Sequence, residues 1–182
     1  QKQAINDLNV FPVPDGDTGT NMSLTIQTAV NELKKSEPAT VGEAAKITAG
    51  ALLRGARGNS GVILSLLFRG LSKSVKGLTD MDGAQLAAAM AEGVTTAYGA
   101  VMKPAEGTVL TVSRLAAARA VEAAQENPSA EYVLEQAIAA GYETLAQTID
   151  MNPVLKKAGV VDAGGKGYLI ILDGMLRALR GE

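Results

Sequence analysis

Apolar residues recur every three or four positions along most of the chain, which is the spacing of helices that bury one face. Seven segments follow this spacing, and several of them open on a residue that can cap a helix. The predicted helices cover residues 21–35, 40–54, 62–75, 82–102, 108–118, 129–149 and 168–179. Residues 1–8 have the pattern of the tail of a further helix. The pattern therefore predicts a chain built from helices.

The connections between these segments are short, and short connections place consecutive helices side by side in antiparallel directions. Aromatic residues make up only 3% of the 182 residues, while Ala and Leu are abundant, which favours helices over sheets. A chain of this length is expected to form one domain with its own core. The sequence therefore predicts an all-α antiparallel bundle over residues 1–182.

Polar chemistry is concentrated in residues 9–22, Asn-Val-Phe-Pro-Val-Pro-Asp-Gly-Asp-Thr-Gly-Thr-Asn-Met. The two prolines predict a stiff, extended lead-in over residues 9–14. Asp15 and Asp17 follow with only Gly16 between them, so both carboxylates can reach one small volume. Oxygen ligands at this spacing suit Mg²⁺, which commonly bridges one or two carboxylates to the phosphates of a substrate.

A helix predicted to begin near Asn21 completes this site, because the free N–H groups of a helix N-terminus favour an anion. Hydroxyl and amide side chains surround that N-terminus at Thr18, Thr20 and Asn21. An EF-hand is excluded, since positions six and twelve counted from Asp15 hold Thr20 and Ile26. Neither a Walker-type phosphate loop nor a dinucleotide-binding glycine fingerprint occurs. The alternative interpretation is an Asp-Gly turn followed by an ordinary helix cap.

A second break in the helical pattern, at residues 55–61, places three glycines around polar side chains and ahead of a strongly apolar helix. The polar side chains are Arg57, Asn59 and Ser60. Glycines here, Gly61 among them, would let the backbone approach a phosphate at the start of that helix. This interpretation predicts a second anion site, and a plain inter-helix turn is the alternative.

A third break places Asp162 two residues before a glycine pair that begins at Gly164. A fourth, at residues 103–107, ends at Thr108, which is either a nucleotide contact or a simple N-cap. Lys166 faces either a phosphate or solvent, and solvent is slightly favoured. These breaks supply further candidate site residues.

The composition excludes several other kinds of chemistry. Because the chain has no Cys and no His, thiol catalysis, disulfides, Ser–His triads and His-rich zinc sites are ruled out. A net charge of −2 means that the chain lacks the excess of basic residues that nucleic-acid binding requires. No apolar run reaches the roughly 18 residues of a membrane span, and no signal peptide is visible. A cytoplasmic protein without nucleic-acid partners is therefore expected.

Residues 9–22 resemble the signature of the DhaL-type nucleotide-binding domain of bacterial dihydroxyacetone kinases, a domain that fatty acid kinases share. The Pro-Val-Pro form is more similar to the N-terminal domain of the fatty acid kinases. Residues 55–65 and 159–167 match the same domain, and the similarity covers the whole chain. The resemblance implies eight antiparallel helices closed into a barrel-like bundle, with nucleotide and magnesium held by loops at one end. On this expectation the first helix lies outside the chain.

The resemblance also implies roles for the site residues. ATP and two Mg²⁺ ions are the expected cofactors, and Asp15 and Asp17 are the expected catalytic and metal-binding residues. The dihydroxyacetone kinase pattern places a third aspartate where this chain has Val10. Asn9 is the preferred third metal ligand in its place, and Asp7 is the alternative. The expected nucleotide-binding residues are Thr18, Thr20, Asn21, Asn59, Ser60, Gly61, Thr108, Asp162 and Gly164.

The function implied by the resemblance is an ATP- and Mg²⁺-dependent phosphotransferase, the nucleotide-binding part of a fatty acid kinase. Its product would be the acyl phosphate of a carrier-bound fatty acid. The absence of His fits this function, because a carboxylate acceptor is already an anion near neutral pH and needs no general base. The implied partners are a FakB-like fatty-acid-binding carrier and further C-terminal domains of the same polypeptide. The alternatives are a dihydroxyacetone (glycerone) kinase-type subunit and a nucleotide-binding regulatory module without catalysis.

Overall fold

The computed structural model describes residues 1–182, of which 76% are helical, and it contains no strand. This confirms the predicted all-α class. The nine helices are α1 (Lys2–Leu8), α2 (Thr18–Ser36), α3 (Val41–Gly55), α4 (Gly58–Ser74), α5 (Gly83–Ala100), α6 (Val109–Glu126), α7 (Ala130–Met151), α8 (Pro153–Ala158) and α9 (Ala163–Leu179).

Three predicted helix starts are confirmed by a side chain that caps the helix. Thr40 Oγ1 accepts a hydrogen bond from Glu43 N at the start of α3, at 3.2 Å. Asp82 and Gln85 form a reciprocal capping box at α5, with bonds of 2.9 and 3.0 Å. The Ser129 hydroxyl accepts from the backbone at the start of α7. Caps of this kind join residues three positions apart, so the local sequence is sufficient to predict them.

Three other helices begin earlier than the hydrophobic pattern predicts. α2, α4 and α9 start at Thr18, Gly58 and Ala163, whereas the pattern placed their starts at residues 21, 62 and 168. The early turns are rich in glycine, which is a poor helix former. Three of the four polar segments that the sequence suggests as candidate sites are therefore partly the first turns of helices and not loops.

Packing between helices explains why the chain stays helical through these glycines. A Cβ atom at Gly61 would lie 2.5 Å from Thr25 Oγ1 on α2. One at Gly165 would lie 2.9 Å from Val112 Cγ2 on α6. Only glycine permits such close approach, and the contacts that result offset the cost of about 1 kcal/mol that glycine carries in a helix.

The prediction of an extended segment over residues 9–14 is wrong, because this segment is bent. The chain bends at Phe11 and Pro12, whose peptide bond is cis, and continues without regular structure to the start of α2. This loop, residues 9–17, curls over the end of the bundle.

Consecutive long helices pack against each other, and α9 packs against α1, α2, α6 and α7, so the long helices close into a ring. Because direction alternates along the ring, the N-termini of α2, α4, α6 and α9 lie at the same end. No helix combines the length and the apolar character that crossing a bilayer requires.

One continuous core of 28 buried residues fills the ring, and Phe68 and Tyr168 are its only aromatic members. The remaining members are aliphatic residues and two methionines, and many of them are alanine. Small side chains bring helix axes close together, and a core packed to high density holds them in fixed positions. The four helix N-termini are therefore held in place by the core beneath them.

Candidate functional site

A cleft of about 470 Å³ opens at the end of the bundle where α2, α4, α6 and α9 begin. This volume lies within the range of small-molecule sites. The loop of residues 9–17 and the connection of residues 101–108 complete its walls. Helix N-termini present unbonded N–H groups and partial positive charge, so this end of the bundle favours an anionic ligand.

Asp15 and Asp17 lie on the exposed loop that borders the cleft, with Asp17 at the N-cap position of α2. The pKa of Asp17 is raised, first because its carboxyl group hydrogen-bonds with that of Asp15, then through desolvation and the charge of Asp15. Two carboxylates this close repel one another, and a divalent cation between them would remove the repulsion. No third acidic group joins the pair. The donor set therefore fits a Mg²⁺ ion completed by water and phosphate oxygens.

Asn9, the predicted third metal ligand, shapes the loop that carries these carboxylates. Its side chain is buried, and its Oδ1 accepts the backbone N–H groups of Asp17 at 3.0 Å and Thr18 at 3.2 Å. Its Nδ2 donates to the carbonyl oxygens of Phe11 and Val13. Because Oδ1 is already bonded twice, Asn9 has no free ligand oxygen in this conformation, and the geometry does not support metal coordination by it.

Asp7, the alternative third ligand, is also not placed to bind the metal. It lies on α1, is exposed, and accepts a hydrogen bond of 2.9 Å from Gln3 Nε2. Its side chain does not line the cleft. The metal prediction therefore rests on Asp15 and Asp17 alone.

The start of α4 is the best-formed anion site in the cleft. The backbone N–H groups of Gly58, Asn59 and Ser60 have no acceptor within the protein, and we call them the α4 amides. The preceding turn is fixed, because Arg57 N donates to Thr25 Oγ1 at 3.0 Å. All three residues with free amides line the cleft. Three unbonded donors on a fixed helix start are suited to phosphate oxygens.

The starts of α6 and α9 differ, because side chains within the protein already accept some of their N–H groups. Thr108 Oγ1 accepts from Leu110 N at α6. Asp162 Oδ2 accepts from Gly165 N at 2.8 Å, and the backbone amide of Val109 at the start of α6 also lowers the pKa of this carboxyl group. Asp162 thus supplies its own negative charge to two helix N-termini. The geometry favours the α4 amides over the start of α9 as the place for phosphate.

Asp162 is 5% exposed, and burial raises its pKa to about 6 although two backbone donors act in the opposite direction. Its backbone N–H also donates to Thr148 Oγ1 on α7, at 3.1 Å. The residue therefore ties α6, α7 and α9 together directly beneath the cleft.

Replacing Asp162 with asparagine should remove a pH dependence of stability. The folded state keeps the proton up to about pH 6, whereas a free carboxyl group titrates at 3.8, so the folded state binds more protons between these values. The free energy of unfolding of the wild type should therefore fall as pH rises through this window, by about 3 kcal/mol. Asparagine keeps an oxygen for Gly165 N–H without the charge, so the variant should lose this decrease.

Urea unfolding across the window, from about pH 4 to 7, measures the effect. Asp82→Asn, which changes the exposed N-cap of α5, is the control and should retain the wild-type profile. A wild-type profile in Asp162→Asn would contradict the assignment.

Ten of the predicted site residues line the cleft together, and they come from four separate parts of the chain. They are Asn9, Asp15, Asp17, Thr18, Asn21, Asn59, Ser60, Thr108, Asp162 and Gly164. Thr20 and Gly61 do not line it. Thr20 bonds to Asn6 through both its hydroxyl and its backbone N–H, at 3.0 Å each, and so joins α1 to α2. Gly61 faces Thr25 inside the bundle, where it allows α2 and α4 to approach each other.

The structure adds residues that the sequence analysis missed. Gly58 adopts φ +67°, and a Cβ atom there would lie 2.4 Å from Asn21 Nδ2, so the starts of α2 and α4 are in contact. Lys103 is the only basic residue of the cleft lining. The sequence showed the break that contains it but not the direction in which it faces. Apolar residues form the rest of the lining: Phe11, Pro12, Val13, Ile63, Val101, Ala105, Val109 and Leu110.

These observations define an all-helical domain of the DhaL type, with a carboxylate pair and free helix amides at one end of the bundle. The chain belongs to the DAK2 domain family, whose model matches residues 12–177. This is the nucleotide-binding subunit family of the dihydroxyacetone kinases; its members generally bind ADP or ATP and are associated with kinase function.

Among its relatives, an uncharacterized protein of Staphylococcus haemolyticus is 48% identical over 178 residues. An uncharacterized protein of Staphylococcus aureus strain USA300 is 47% identical over the same length. Each alignment covers 98% of this chain and 32% of the relative. The chain therefore spans about a third of the length of these curated relatives.

Proposed function

We propose that this domain binds Mg-ATP and transfers the γ-phosphoryl group to the carboxylate of a fatty acid presented by a separate carrier protein. The observation that carries the proposal is the meeting of the Asp15–Asp17 pair and the free α4 amides in one cleft. Phosphoryl transfer needs this combination, because its transition state is highly charged and is stabilised mainly by cations and fixed donors.

Each part of the cleft has a role in this proposal. Asp15 and Asp17 would hold Mg²⁺, which supplies charge neutralisation at the phosphates when bound. The α4 amides and the side chains of Asn59 and Ser60 would bind phosphate oxygens, with Thr18 and Asn21 completing the site from α2. The apolar residues of the lining would cover the base of the nucleotide.

The absence of His from the chain bears on the proposed acceptor. In the proposed reaction a carboxylate oxygen forms a bond to the γ-phosphorus while the bond to the bridging oxygen breaks, and ADP leaves with that electron pair. No proton has to be removed from a carboxylate near neutral pH. A sugar hydroxyl has to lose a proton as it attacks, and the sequence has no His to accept that proton. A carboxylate acceptor is therefore compatible with this His-free chain.

A partner is proposed from the surface at the cleft end, where several large apolar side chains are exposed on connections and helix ends. Met102 is 97% exposed, and Val13, Met151 and Val154 are 57%, 37% and 43% exposed. Apolar side chains exposed around a cleft are typical of protein interaction sites. We propose that a FakB-like carrier docks there, and that domains elsewhere in the same polypeptide help to hold it.

The second candidate is a dihydroxyacetone kinase-type subunit, which the family match itself favours. ADP release distinguishes the candidates, measured with a carrier loaded with fatty acid, with free oleate and with dihydroxyacetone. We expect turnover with the loaded carrier and little with either free acceptor. Turnover with dihydroxyacetone alone would favour the second candidate. Mg-ATP binding without ADP from any acceptor would indicate a regulatory module.

A further inference from the structure

The connection of residues 101–108 between α5 and α6 carries Lys103 to the cleft, and four side chains fix this connection. Glu106 Oε2 accepts from Thr111 Oγ1 at 2.7 Å and from Arg114 at 2.9 Å. Arg114 Nε donates to Tyr98 OH at 3.2 Å, which reaches back to α5. We call Tyr98, Glu106, Thr111 and Arg114 the Glu106 cluster; it joins both ends of the connection to the helices beside it.

The backbone of the connection is also bound to this cluster. Gly107 N donates to Thr111 Oγ1 at 2.9 Å, so a single hydroxyl bonds both Glu106 and the chain beside it. Thr108 Oγ1 donates to the carbonyl oxygen of Ala105 at 2.7 Å and closes the turn. The path of the chain from Lys103 to the start of α6 therefore depends on the charge and position of Glu106.

A second cluster of the same chemistry lies at the opposite end of α6. Arg119 bonds Glu126 at 2.9 Å, and Tyr132 OH donates to the same carboxylate at 2.6 Å. This set links α6 to α7 and is remote from the cleft. It provides a matched comparison, because it contains three of the four residue types of the Glu106 cluster, Glu, Arg and Tyr.

The Glu106 cluster stabilises the local conformation of the connection more than it stabilises the whole fold. The side chains of Arg114 and Glu106 are 44% and 54% exposed, and pairs this exposed contribute little to the stability of a fold. Their effect is instead to hold one conformation of an eight-residue connection, which would otherwise sample many. Among the residues of the connection, only Lys103 brings a positive side chain to the cleft.

We propose that Glu106 is a positioning residue, which holds the 101–108 connection so that the Lys103 ammonium group binds the anionic phosphate chain of a nucleoside triphosphate. This inference rests on the proposed function, because it takes a nucleotide to be the ligand of the cleft. Glu106 does not line the cleft, whereas Lys103 does. The proposed effect of Glu106 on nucleotide affinity is therefore exerted through the position of Lys103.

The test combines Glu106→Gln, Lys103→Met, the double variant and the matched control Glu126→Gln. Isothermal titration with Mg-ATP should show Glu106→Gln weakening the affinity by about tenfold, within the range of coupling between residues of one network. Lys103→Met should weaken it at least as much. The double variant should bind like Lys103→Met alone, because Glu106 has no effect once the ammonium group is gone. Glu126→Gln should bind like the wild type.

Hydrogen exchange at the Gly107 amide provides a readout that needs no ligand. Exchange should be faster in Glu106→Gln than in the wild type and Glu126→Gln. Unchanged exchange, wild-type affinity in Glu106→Gln, or additive losses in the double variant would each overturn the proposal. Absence of ATP binding by the wild type would overturn the proposed function, and exchange alone would then decide whether Glu106 holds the connection.

Discussion

Mg²⁺-dependent ATP binding should be lost when either Asp15 or Asp17 is replaced by alanine. Each variant keeps one carboxylate of the pair, so the cation loses one of its two protein ligands. Changing residues that only support a metal ligand commonly costs about 10–100-fold in metal affinity, so losing a ligand itself should cost at least that much. We expect the affinity for Mg-ATP to fall by more than about 100-fold in calorimetry.

The same variants should fold normally, because both side chains are exposed and lie on a loop. Surface changes away from packing contacts usually alter stability by less than about 0.5 kcal/mol. The matched control is Asp80→Ala, an exposed aspartate between α4 and α5 at the opposite end of the bundle. Its affinity for Mg-ATP should equal that of the wild type. Wild-type affinity in both cleft variants, with unchanged circular dichroism, would show that this pair does not hold the metal.

The second large effect is expected at Gly58, where valine should disrupt the α4 amides. Its φ of +67° is unfavourable for a β-branched residue. The new Cβ would lie 2.4 Å from Asn21 Nδ2, so either Asn21 or the first turn of α4 has to move. Either movement changes the phosphate contacts, because both residues line the cleft. The affinity for Mg-ATP should fall by more than about tenfold, which corresponds to about 1.4 kcal/mol.

Gly77→Val separates the loss of the site from the cost of backbone strain. Gly77 has φ +80°, nothing within 4 Å of its added Cβ, and a position far from the cleft. Both variants should lose stability, by about 1–3 kcal/mol for an unfavourable backbone conformation. Thermal unfolding measures this loss, and only Gly58→Val should also lose nucleotide affinity. If the two variants bind Mg-ATP equally well, the α4 amides are not the phosphate site.

Features that depend on neighbouring residues could be predicted from the sequence. The spacing of apolar residues gave the helical class, and the caps at Thr40, Asp82 and Ser129 gave three helix starts, because each cap joins positions three apart. The chemistry of the cleft was also visible, since adjacent carboxylates and glycine-rich polar breaks are local patterns. Most predicted site residues consequently line one cleft.

The tertiary structure decided the features that depend on residues far apart in the chain. The starts of α2, α4 and α9 moved into the glycine-rich breaks, because the packing of helices on one another outweighs the low helix propensity of glycine. Gly61 and Thr20 were predicted to bind nucleotide, but their neighbours Thr25 and Asn6 turn them to packing roles. Local sequence does not contain those neighbours.

The electrostatics of the site also depends on residues that are far apart in the chain. Asn9 was a plausible metal ligand by type, until the fold placed its oxygen against the N–H groups of Asp17 and Thr18. The raised pKa of Asp162 follows from burial at the junction of α6, α7 and α9, which no local pattern describes. The sequence thus determined which chemical groups are available. Only the packing of the helices determined which of those groups remain free to bind a ligand, because that depends on what each group meets across the bundle.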